Sequence, residues 1–415
     1  MRQSWSSPSL RDDLPLSSLL EGLRTHITLL NSRPSTLLSF GTRAISSEDY
    51  ALALQSVLAS AESAPDRQLI HQILEKEFDF FIPYGSRSWG TVLLTSYYEP
   101  FLKGSPAKTP TFSEPILSTP QDLVEVGFSR TDDRFSDLGQ LRGRILPERT
   151  SRNTPQLVPY FTREEISKGA LKNRKLEIAW LDPVDSFFLH IQGSGIIQWE
   201  DGSQLRVGYA DQNGHPYVAI GKFLKDLIPI EKMSQGTLER HLRSLEAHET
   251  QAILNRNPSY IFFQKRTGPA LTSVGTPVID GRTIATDGRF FPKGTLAYLK
   301  FEKPEFDSES SIEPSQWRKT SRLVFDQDVG GAIRGGGRVD LFWGTGDDAK
   351  RHAGIIKQEG TLYYLVPKPE FLTRLKAQAM SINRSENLEG KGQQEKTTLK
   401  QGPVRPPLER GPQQD

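Results

Sequence analysis

Short apolar runs separated by turn residues fill most of the chain from Thr91 to Lys368, and this pattern limits the fold more than any other feature. The run Thr91–Tyr98 is dense in β-branched and aromatic residues and is stopped by Pro100, which predicts a strand. The stretch "LEIAWLDPVDSFFLHIQGSGIIQWEDGSQLRVGYADQNGHPYVAI" alternates short runs with Gly, Asp-Pro and Asn-Gly turns. The pattern therefore predicts a mainly β protein that contains a small barrel or sandwich.

Helical periodicity is confined to the N-terminal region and one internal segment. Apolar spacing predicts helices over Leu14–Leu30 and Arg67–Glu77, and a capping-box pattern at Ser46 and Asp49 predicts the start of another between them. The internal segment "TLERHLRSLEAHETQAILN" is predicted to form a single helix. Beyond Pro369 the apolar content falls, which predicts a disordered tail.

Composition narrows the classes of function. The 415 residues allow two domains, and 52 basic against 50 acidic residues give a net charge of +2, which argues against a nucleic-acid binder. The chain has no cysteine, so disulfides, thiolate metal sites and cysteine nucleophiles are excluded. No apolar run reaches about 18 residues, so we expect no transmembrane segment. The N-terminal residues also lack the apolar core of a signal peptide.

The motifs do not indicate a metal site, a serine hydrolase or a phosphate-binding loop. The seven histidines form no His-Glu-x-x-His motif, so no metal is expected, and no Gly-x-Ser-x-Gly elbow is present. The stretch "GTGDDA" fits Gly-x-Gly-x-x-Ala, but its two aspartates would repel a phosphate, and no βαβ unit surrounds it. Tight turns in a barrel are the better interpretation of this stretch and of "GGAIRGGGR", and no cofactor is expected.

Carboxylates are the remaining candidates for chemistry. In "RVDLFWG", period-two alternation places Val339 and Leu341 on one strand face and Asp340 on the other. An isolated acid among apolar residues has a raised pKa and can deliver a proton near neutral pH, although a solvent-facing edge position is equally compatible with the pattern. Asp328 precedes a glycine-rich bend and by itself fits a turn cap. Glu99 in "SYYEPF" is a further candidate acid.

A set of motifs in fixed order resembles the lytic murein transglycosylase A family with its C-terminal three-aspartate (3D) domain. The matching stretches are "TSYYEP", "YFTREEI", "LDPVDSFFLHIQGSG", "VGYADQNGHPY", "NPSYIFF", "ATDGRFFPKGTL" and "FDQDVGGAIRGGGRVDLFWGTGDDA". The resemblance implies a double-psi β-barrel domain, a smaller β domain inserted into it, and a substrate groove between the two. The implied boundaries are 1–101 and 257–370 for the large domain, 102–256 for the insertion, and 371–415 for the tail.

The resemblance also implies the reaction. Members of the family cleave the β-1,4 bond between N-acetylmuramic acid and N-acetylglucosamine in peptidoglycan without water, and leave 1,6-anhydromuramic acid ends. It implies Asp340 as the acid and then the base, and Asp328 as a supporting carboxylate. Asp287 matches the third aspartate, with a substrate-binding or a structural turn role. The further residues expected to line the groove are Tyr98, Gln192, Gly193, Ser194, Gly195, Tyr209, Gly330, Gly331 and Trp343.

Several positions depart from the family pattern. The lipid-anchoring cysteine is missing, His190 and Asp211 replace an expected glutamine and glycine, and Gly335–Gly337 lengthen the loop between the two site aspartates. The implied partners are peptidoglycan strands and cell-wall synthesis proteins, and the implied location is the cell envelope. The main alternative is a non-catalytic, expansin-like wall-binding protein, because a fold does not fix a function. A hydrolytic muramidase is a third hypothesis.

Overall fold

The computed structural model describes residues 1–85, 87–127, 140–146, 155–308, 311 and 313–381. Its strands, in chain order, are β1 (Arg2–Gln3), β2 (Leu37–Phe40), β3 (Arg43–Ser46), β4 (Phe78–Ile82), β5 (Thr91–Glu99), β6 (Phe101–Ser105), β7 (Glu114–Leu117), β8 (Val124–Gly127), β9 (Gln140–Leu146), β10 (Gln156–Val158), β11 (Glu177–Leu181), β12 (Ser194–Gln198), β13 (Gln204–Gln212), β14 (Ile261–Arg266), β15 (Thr283–Ala285), β16 (Thr295–Glu305), β17 (Gln316–Asp328), β18 (Arg338–Thr345) and β19 (Lys357–Pro367). The helices are α1 (Leu16–Asn31), α2 (Ser47–Ser63), α3 (Arg67–Glu77), α4 (Arg163–Ser167), α5 (Pro183–Gln192), α6 (Gln235–Arg243), α7 (Ala247–Leu254) and α8 (Gly346–Ala353). Residues 369–381 are also helical, and Ile220–Phe223 and Ile230–Lys232 are 3₁₀ turns.

Six strands close into a barrel. Around the ring the order is β5, β19, β16, β17, β15 and β18, and β18 pairs with β5 to complete it. The pairs β15–β17 and β18–β5 are parallel, and the other four are antiparallel. Closure leaves these strands with no free edge, so their inward residues form a continuous core, to which Leu94, Val324, Val339 and Leu341 belong.

The N-terminal helices pack against this barrel. Gly22 on α1 lets the helix approach very closely, because a Cβ there would lie 1.9 Å from the Phe325 ring. His26 stacks on the same ring at 4.3 Å. Just before α1, Asp12 forms a fully buried ion pair with Arg282, at 2.8 Å. The segment that enters α1 is therefore fixed to the barrel by both apolar contact and a paired charge.

A second sheet is built from the chain between β5 and β15. Its order is β14-β13-β12-β6-β11-β7, with β12 and β6 parallel. A three-stranded sheet of β10, β9 and β8 adjoins it in sequence. The chain passes from barrel to second sheet through Pro100, whose carbonyl accepts a hydrogen bond from the Ile196 N–H at 2.9 Å. The end of β5 is therefore attached directly to the second sheet.

Several sequence predictions are confirmed. The strand predicted over Thr91–Tyr98 is β5, and the helix predicted over Arg67–Glu77 is α3. Ser46 caps α2 by accepting a hydrogen bond from the Asp49 N–H. The expectation of a mainly β fold with N-terminal helices is correct.

Other predictions are corrected. Asp182 and Pro183 do not form a turn between strands, since they are the N-cap and first residue of α5. The single helix predicted over 237–255 is two helices, α6 and α7. The boundary predicted at residue 257 is too early, because β14 pairs with β13 of the second sheet. The predicted tail starts too early as well, since Phe371 and Leu375 are buried in the barrel core; the rest of the predicted tail, 382–415, lies outside the described residues.

Candidate active site

Asp340 lies on β18 where this strand runs parallel to β5. Its Oδ1 accepts a hydrogen bond from the Thr95 hydroxyl at 2.7 Å, and the side chain is partly exposed. Among the described residues Asp340 takes part in no ion pair, although Arg338 lies close enough for its Nη2 to reach the Thr95 hydroxyl at 3.4 Å. Burial raises the pKa of Asp340 to about 6. The Thr95 hydrogen bond and the Arg338 charge act in the other direction and lower the pKa, but burial has the larger effect. The carboxyl group is thus reachable, and it keeps its proton to a higher pH than an ordinary aspartate does.

Asp328, at the end of β17, is the second carboxylate of this site. The Tyr97 hydroxyl donates to its Oδ2 at 2.8 Å, and the Ser273 and Val329 N–H groups donate to its Oδ1 at 2.9 Å. Burial raises the pKa of Asp328, and its charge in turn raises the pKa of Asp340. Burial and the neighbouring Asp328 raise the pKa of Tyr97 far above its usual range, so Tyr97 remains a donor.

Asp287 lies in a different environment. Its carboxylate accepts two hydrogen bonds from the Arg289 guanidinium, at 3.0 and 2.7 Å, and one from the Gly335 N–H at 2.8 Å. The side chain is 1% exposed, and the hydrogen bonds with Arg289 hold its pKa well below the usual range. Asp287 therefore fixes the glycine-rich loop between β17 and β18, which connects Asp328 to Asp340.

Two aromatic residues that the resemblance places in the groove, Tyr98 and Trp343, pack against α8. Tyr98 is 3% exposed and packs against Ala349 on α8, because it lies on the face of β5 opposite to Thr95 and Tyr97. Trp343 stacks on His352 with ring centroids 5.1 Å apart. The Tyr98 ring is therefore buried away from a ligand, whereas Trp343 is partly exposed.

The "IQGSG" loop lies at the junction of β5 with the second sheet. Both amide atoms of Gln192 are used within the protein: Oε1 accepts from the Tyr98 N–H, and Nε2 donates to Gln235. Gly193 ends α5 with a φ of 82°, a conformation that favours glycine. Ser194 is partly exposed at the start of β12, whereas Gly195 is buried. Of these residues, Ser194 has the side chain best placed for an outside ligand.

The remaining predicted groove residues are on loops and strand surfaces. Tyr209 on β13 is 43% exposed. Gly330 and Gly331 begin the loop that follows Asp328, and a Cβ on Gly331 would meet open space. The structure thus brings Asp340, Asp328 and the two glycines together at one end of the barrel, while Tyr209 belongs to the second sheet.

Glu99, the other candidate acid, is not at the reactive position. It is 1% exposed, its Oε2 lies 3.4 Å from Arg206 on β13, and the Thr345 hydroxyl donates to it at 3.2 Å. Burial raises its pKa. Glu99 therefore joins the barrel to the second sheet from within.

Thr95 and Tyr97 received no role in the sequence analysis, although both donate hydrogen bonds to the site aspartates. The signal for them is the alternation along β5, which places these two residues on one strand face.

Within the described ranges, no group of three or more histidine, aspartate or glutamate side chains is arranged to hold a metal ion. No helix in that part of the chain is long and apolar enough to cross a membrane.

A closed β-barrel that presents a partly exposed carboxyl group of raised pKa has the arrangement of an acid–base enzyme. Comparison with known proteins identifies the family. Residues 93–264 match the MltA specific insert domain, and residues 282–366 match the 3D domain. The chain belongs to the membrane-bound lytic murein transglycosylase A family.

Individual relatives agree with this assignment. Membrane-bound lytic murein transglycosylase A of Escherichia coli K12 is 29% identical over 289 residues, covering 69% of this chain and 68% of that protein. Its homolog in Buchnera aphidicola is 27% identical over 304 residues, with coverages of 72% and 73%. A crystal structure of the membrane-bound lytic murein transglycosylase from Agrobacterium tumefaciens superposes with a TM-score of 0.66 at 26% identity, covering 86% of this chain and 93% of that one.

Proposed function

We propose that the protein is a lytic transglycosylase that cleaves the β-1,4 bond between N-acetylmuramic acid and N-acetylglucosamine in peptidoglycan and forms 1,6-anhydromuramic acid ends. The alignment with this chain covers two thirds or more of each of two relatives. Both relatives carry the name of lytic murein transglycosylase A, one of them as a homolog. The observation that carries the proposal for this chain is Asp340, which is reachable, unpaired with any described cation, and of raised pKa. Its biological role is cell-wall turnover and remodelling.

Asp340 acts first as an acid and then as a base. Protonated, it gives its proton to the glycosidic O4 while the C1–O4 bond breaks and positive charge develops on the muramyl ring. The resulting carboxylate then takes the proton from the 6-hydroxyl of the same sugar while O6 bonds to C1. Asp340 ends the cycle protonated again, and no water is consumed.

One carboxyl group suffices because the nucleophile belongs to the substrate. A hydroxyl on the same ring has an effective concentration far above that of a separate molecule, with effective molarities of about 10⁵–10⁸ M in well-oriented cases. Glycosidases that use water or a covalent intermediate need two carboxyl groups in chemical roles. Asp328 supplies negative charge beside Asp340, which supports the cationic transition state and keeps the proton on Asp340.

Asp287 serves this site as a positioning residue. Its hydrogen bond to the Gly335 N–H fixes the loop that joins the two site aspartates. Gly330, Gly331, Gly193, Ser194 and Tyr209 are the proposed groove contacts, on the two sides of the junction between barrel and second sheet. Gln192 contributes by holding the backbone of β5 in place.

The proposal extends to the finer fold and the location. We assign the double-psi topology to the six-strand barrel, and treat the second sheet as a smaller domain inserted between β5 and β15, with the substrate groove between the two. The family name indicates a membrane-bound protein of the cell envelope. We place this protein on the periplasmic or outer-membrane side, with wall-synthesis proteins as further partners.

Mass spectrometry of purified peptidoglycan after incubation with the protein tests the proposal. We expect anhydro-muropeptides from the wild type and none from Asp340→Asn, while Asp347→Asn, an exposed aspartate on α8, retains activity. Reducing ends that carry oxygen from labelled water would show a hydrolase instead. Binding without any new chain ends would favour the expansin-like alternative.

A further inference from the structure

Three exposed aromatic side chains have no part in the proposed reaction and are linked to one another by direct contact or through Arg2. Trp5 is 87% exposed, Tyr84 61% and Trp89 38%. Soluble proteins rarely expose several large aromatic residues together unless the surface binds something. These three residues and Arg2 are referred to below as the aromatic platform.

Arg2 and the ring contacts give the aromatic platform a defined shape. The Arg2 guanidinium carbon lies 4.4 Å from the Trp89 ring centroid and 5.3 Å from that of Trp5, so one cation bridges two indoles. Tyr84 and Trp89 meet edge to face, with centroids 5.3 Å apart, and are joined by a β-bridge. The Nε of Arg2 has no hydrogen-bond partner in the described structure.

The platform is continuous with the active site through the glycine-rich loop. The Tyr84 carbonyl oxygen lies 3.2 Å from where a Cβ on Gly336 would stand, so the platform's backbone packs directly on this loop. Asp340 is four positions along the chain from Gly336, a reach of at most about 14 Å. The Leu93 N–H also donates to the Gly337 carbonyl at 2.8 Å, which holds the loop against the start of β5. A short oligosaccharide can span this distance.

The chemistry of the platform matches that of a glycan strand. Aromatic faces pack against the C–H faces of pyranose rings, and the tyrosine hydroxyl and indole N–H can hydrogen-bond to sugar oxygens. The charge of Arg2 complements the carboxylates carried by stem peptides. A polymeric substrate must also continue past the bond that is cleaved. We infer that Arg2, Trp5, Tyr84 and Trp89 form a secondary glycan-binding site that holds the peptidoglycan strand beyond the reaction centre; this inference rests on the proposed function.

Binding assays in the Asp340→Asn background test the platform without cleavage of the ligand. Trp5→Ala and Tyr84→Ala should each weaken binding to purified sacculi, and to glycan strands stripped of their peptides, by about tenfold or more, as loss of an aromatic anchor does. Trp317→Ala is the matched control. Trp317 is 41% exposed on β17 and, at about 3.3 Å per residue, lies roughly 35 Å along the strand from Asp328. It should leave binding unchanged.

Three results would overturn the inference. The first is wild-type binding by Trp5→Ala, whose side chain is too exposed for its loss to unfold the chain. The second is a loss seen with intact sacculi and absent with stripped glycan, which would assign the platform to peptide. The third is slower sedimentation of Trp5→Ala than of the unchanged protein, which would show that the platform joins two copies of the chain. If the binding assays contradict the platform, the test for anhydro products is unaffected. If the wild type releases no anhydro products, the proposed function is contradicted, while the binding result still holds.

Discussion

Asp340 and Asp287 are residues of the same type in the same barrel, yet their surroundings give them opposite properties. Asp340 accepts one described hydrogen bond, from a threonine hydroxyl, and forms no described ion pair. Asp287 accepts hydrogen bonds from the Arg289 guanidinium, the Arg289 N–H and the Gly335 N–H. The comparison shows that donors and counter-charges, rather than the residue type, decide which aspartate can exchange a proton.

The two environments also have opposite effects on stability. The lowered pKa of Asp287 stabilises the fold above pH 4, and this contribution is lost as pH falls through the folded-state value. Burial raises the pKa of Asp340 to about 6, so its cost to stability grows as pH rises from about 4 to about 6 and stays constant above that. The fold therefore stabilises the ionised form of Asp287, whereas it stabilises the protonated form of Asp340.

The largest expected effect is on the rate. Asp340→Asn should lower the initial rate of anhydro-muropeptide release by about 10²–10⁴-fold, since it removes the group to which the proposed reaction assigns both proton transfers. Asp287→Asn should lower the rate far less, because it only loosens the loop at Gly335. Timed product analysis of both variants measures the difference. Equal losses would mean that the contrast between the two aspartates has no catalytic meaning.

The second effect is on the free energy of unfolding. Asp287→Ala should reduce it by about 1 kcal/mol, because the partly buried Gly335 N–H loses its partner. Asp340→Asn should increase it at pH 8 by on the order of 1–3 kcal/mol, given a folded-state pKa of about 6.

Urea unfolding at pH 8 and pH 4.5 separates the two contributions. The gain from Asp340→Asn should shrink at pH 4.5, where the wild-type carboxyl group is already mostly protonated in the folded state. A gain that is the same at both pH values would show that it has another cause.

Asp328→Asn should have a smaller effect, seen in the pH dependence. The reaction needs protonated Asp340, so kcat/KM should fall as pH rises through its pKa. Removing the Asp328 charge removes a cause of the raised pKa, and the falling limb should move to lower pH. A limb that stays in place would mean that the two carboxyl groups do not interact.

Thr95→Val should have the smallest effect and the opposite sign. The Thr95 hydrogen bond favours the ionised form of Asp340, so its loss should raise the pKa and move the falling limb to higher pH. A pH–rate profile of this isosteric variant is the measurement. Movement to lower pH would contradict the contact described for the two side chains.

Local patterns in the sequence predicted the strand faces correctly. Alternation in "RVDLFWG" placed Val339 and Leu341 on one strand face, and both are buried, and it placed Asp340 on the other face. Pairing between distant strands could not be predicted this way, because Thr95 and Asp340 are 245 positions apart. The family resemblance pointed to Asp340, but only the fold shows that a hydroxyl, rather than a cation, is its partner.

The prediction of two groove residues meets a physical limit. The resemblance placed Tyr98 and Trp343 in the groove, but Tyr98 is buried and Trp343 is only partly exposed. Which face of β5 and β18 is covered by α8 depends on tertiary packing, and α8 covers the face that carries these two rings. Other aromatic residues are exposed instead, and Trp5, Tyr84 and Trp89, which are distant in sequence from the aspartates, are among them.

Titration of the Asp340 side chain tests the central claim most directly. Carbon-13 NMR of protein labelled at aspartate carboxyl carbons, compared with Asp340→Asn, identifies the resonance that belongs to this residue. We expect it to titrate near pH 6. A midpoint at or below about 4, the value of an unperturbed aspartate, would contradict the account, because Asp340 would then hold no proton to give near neutral pH.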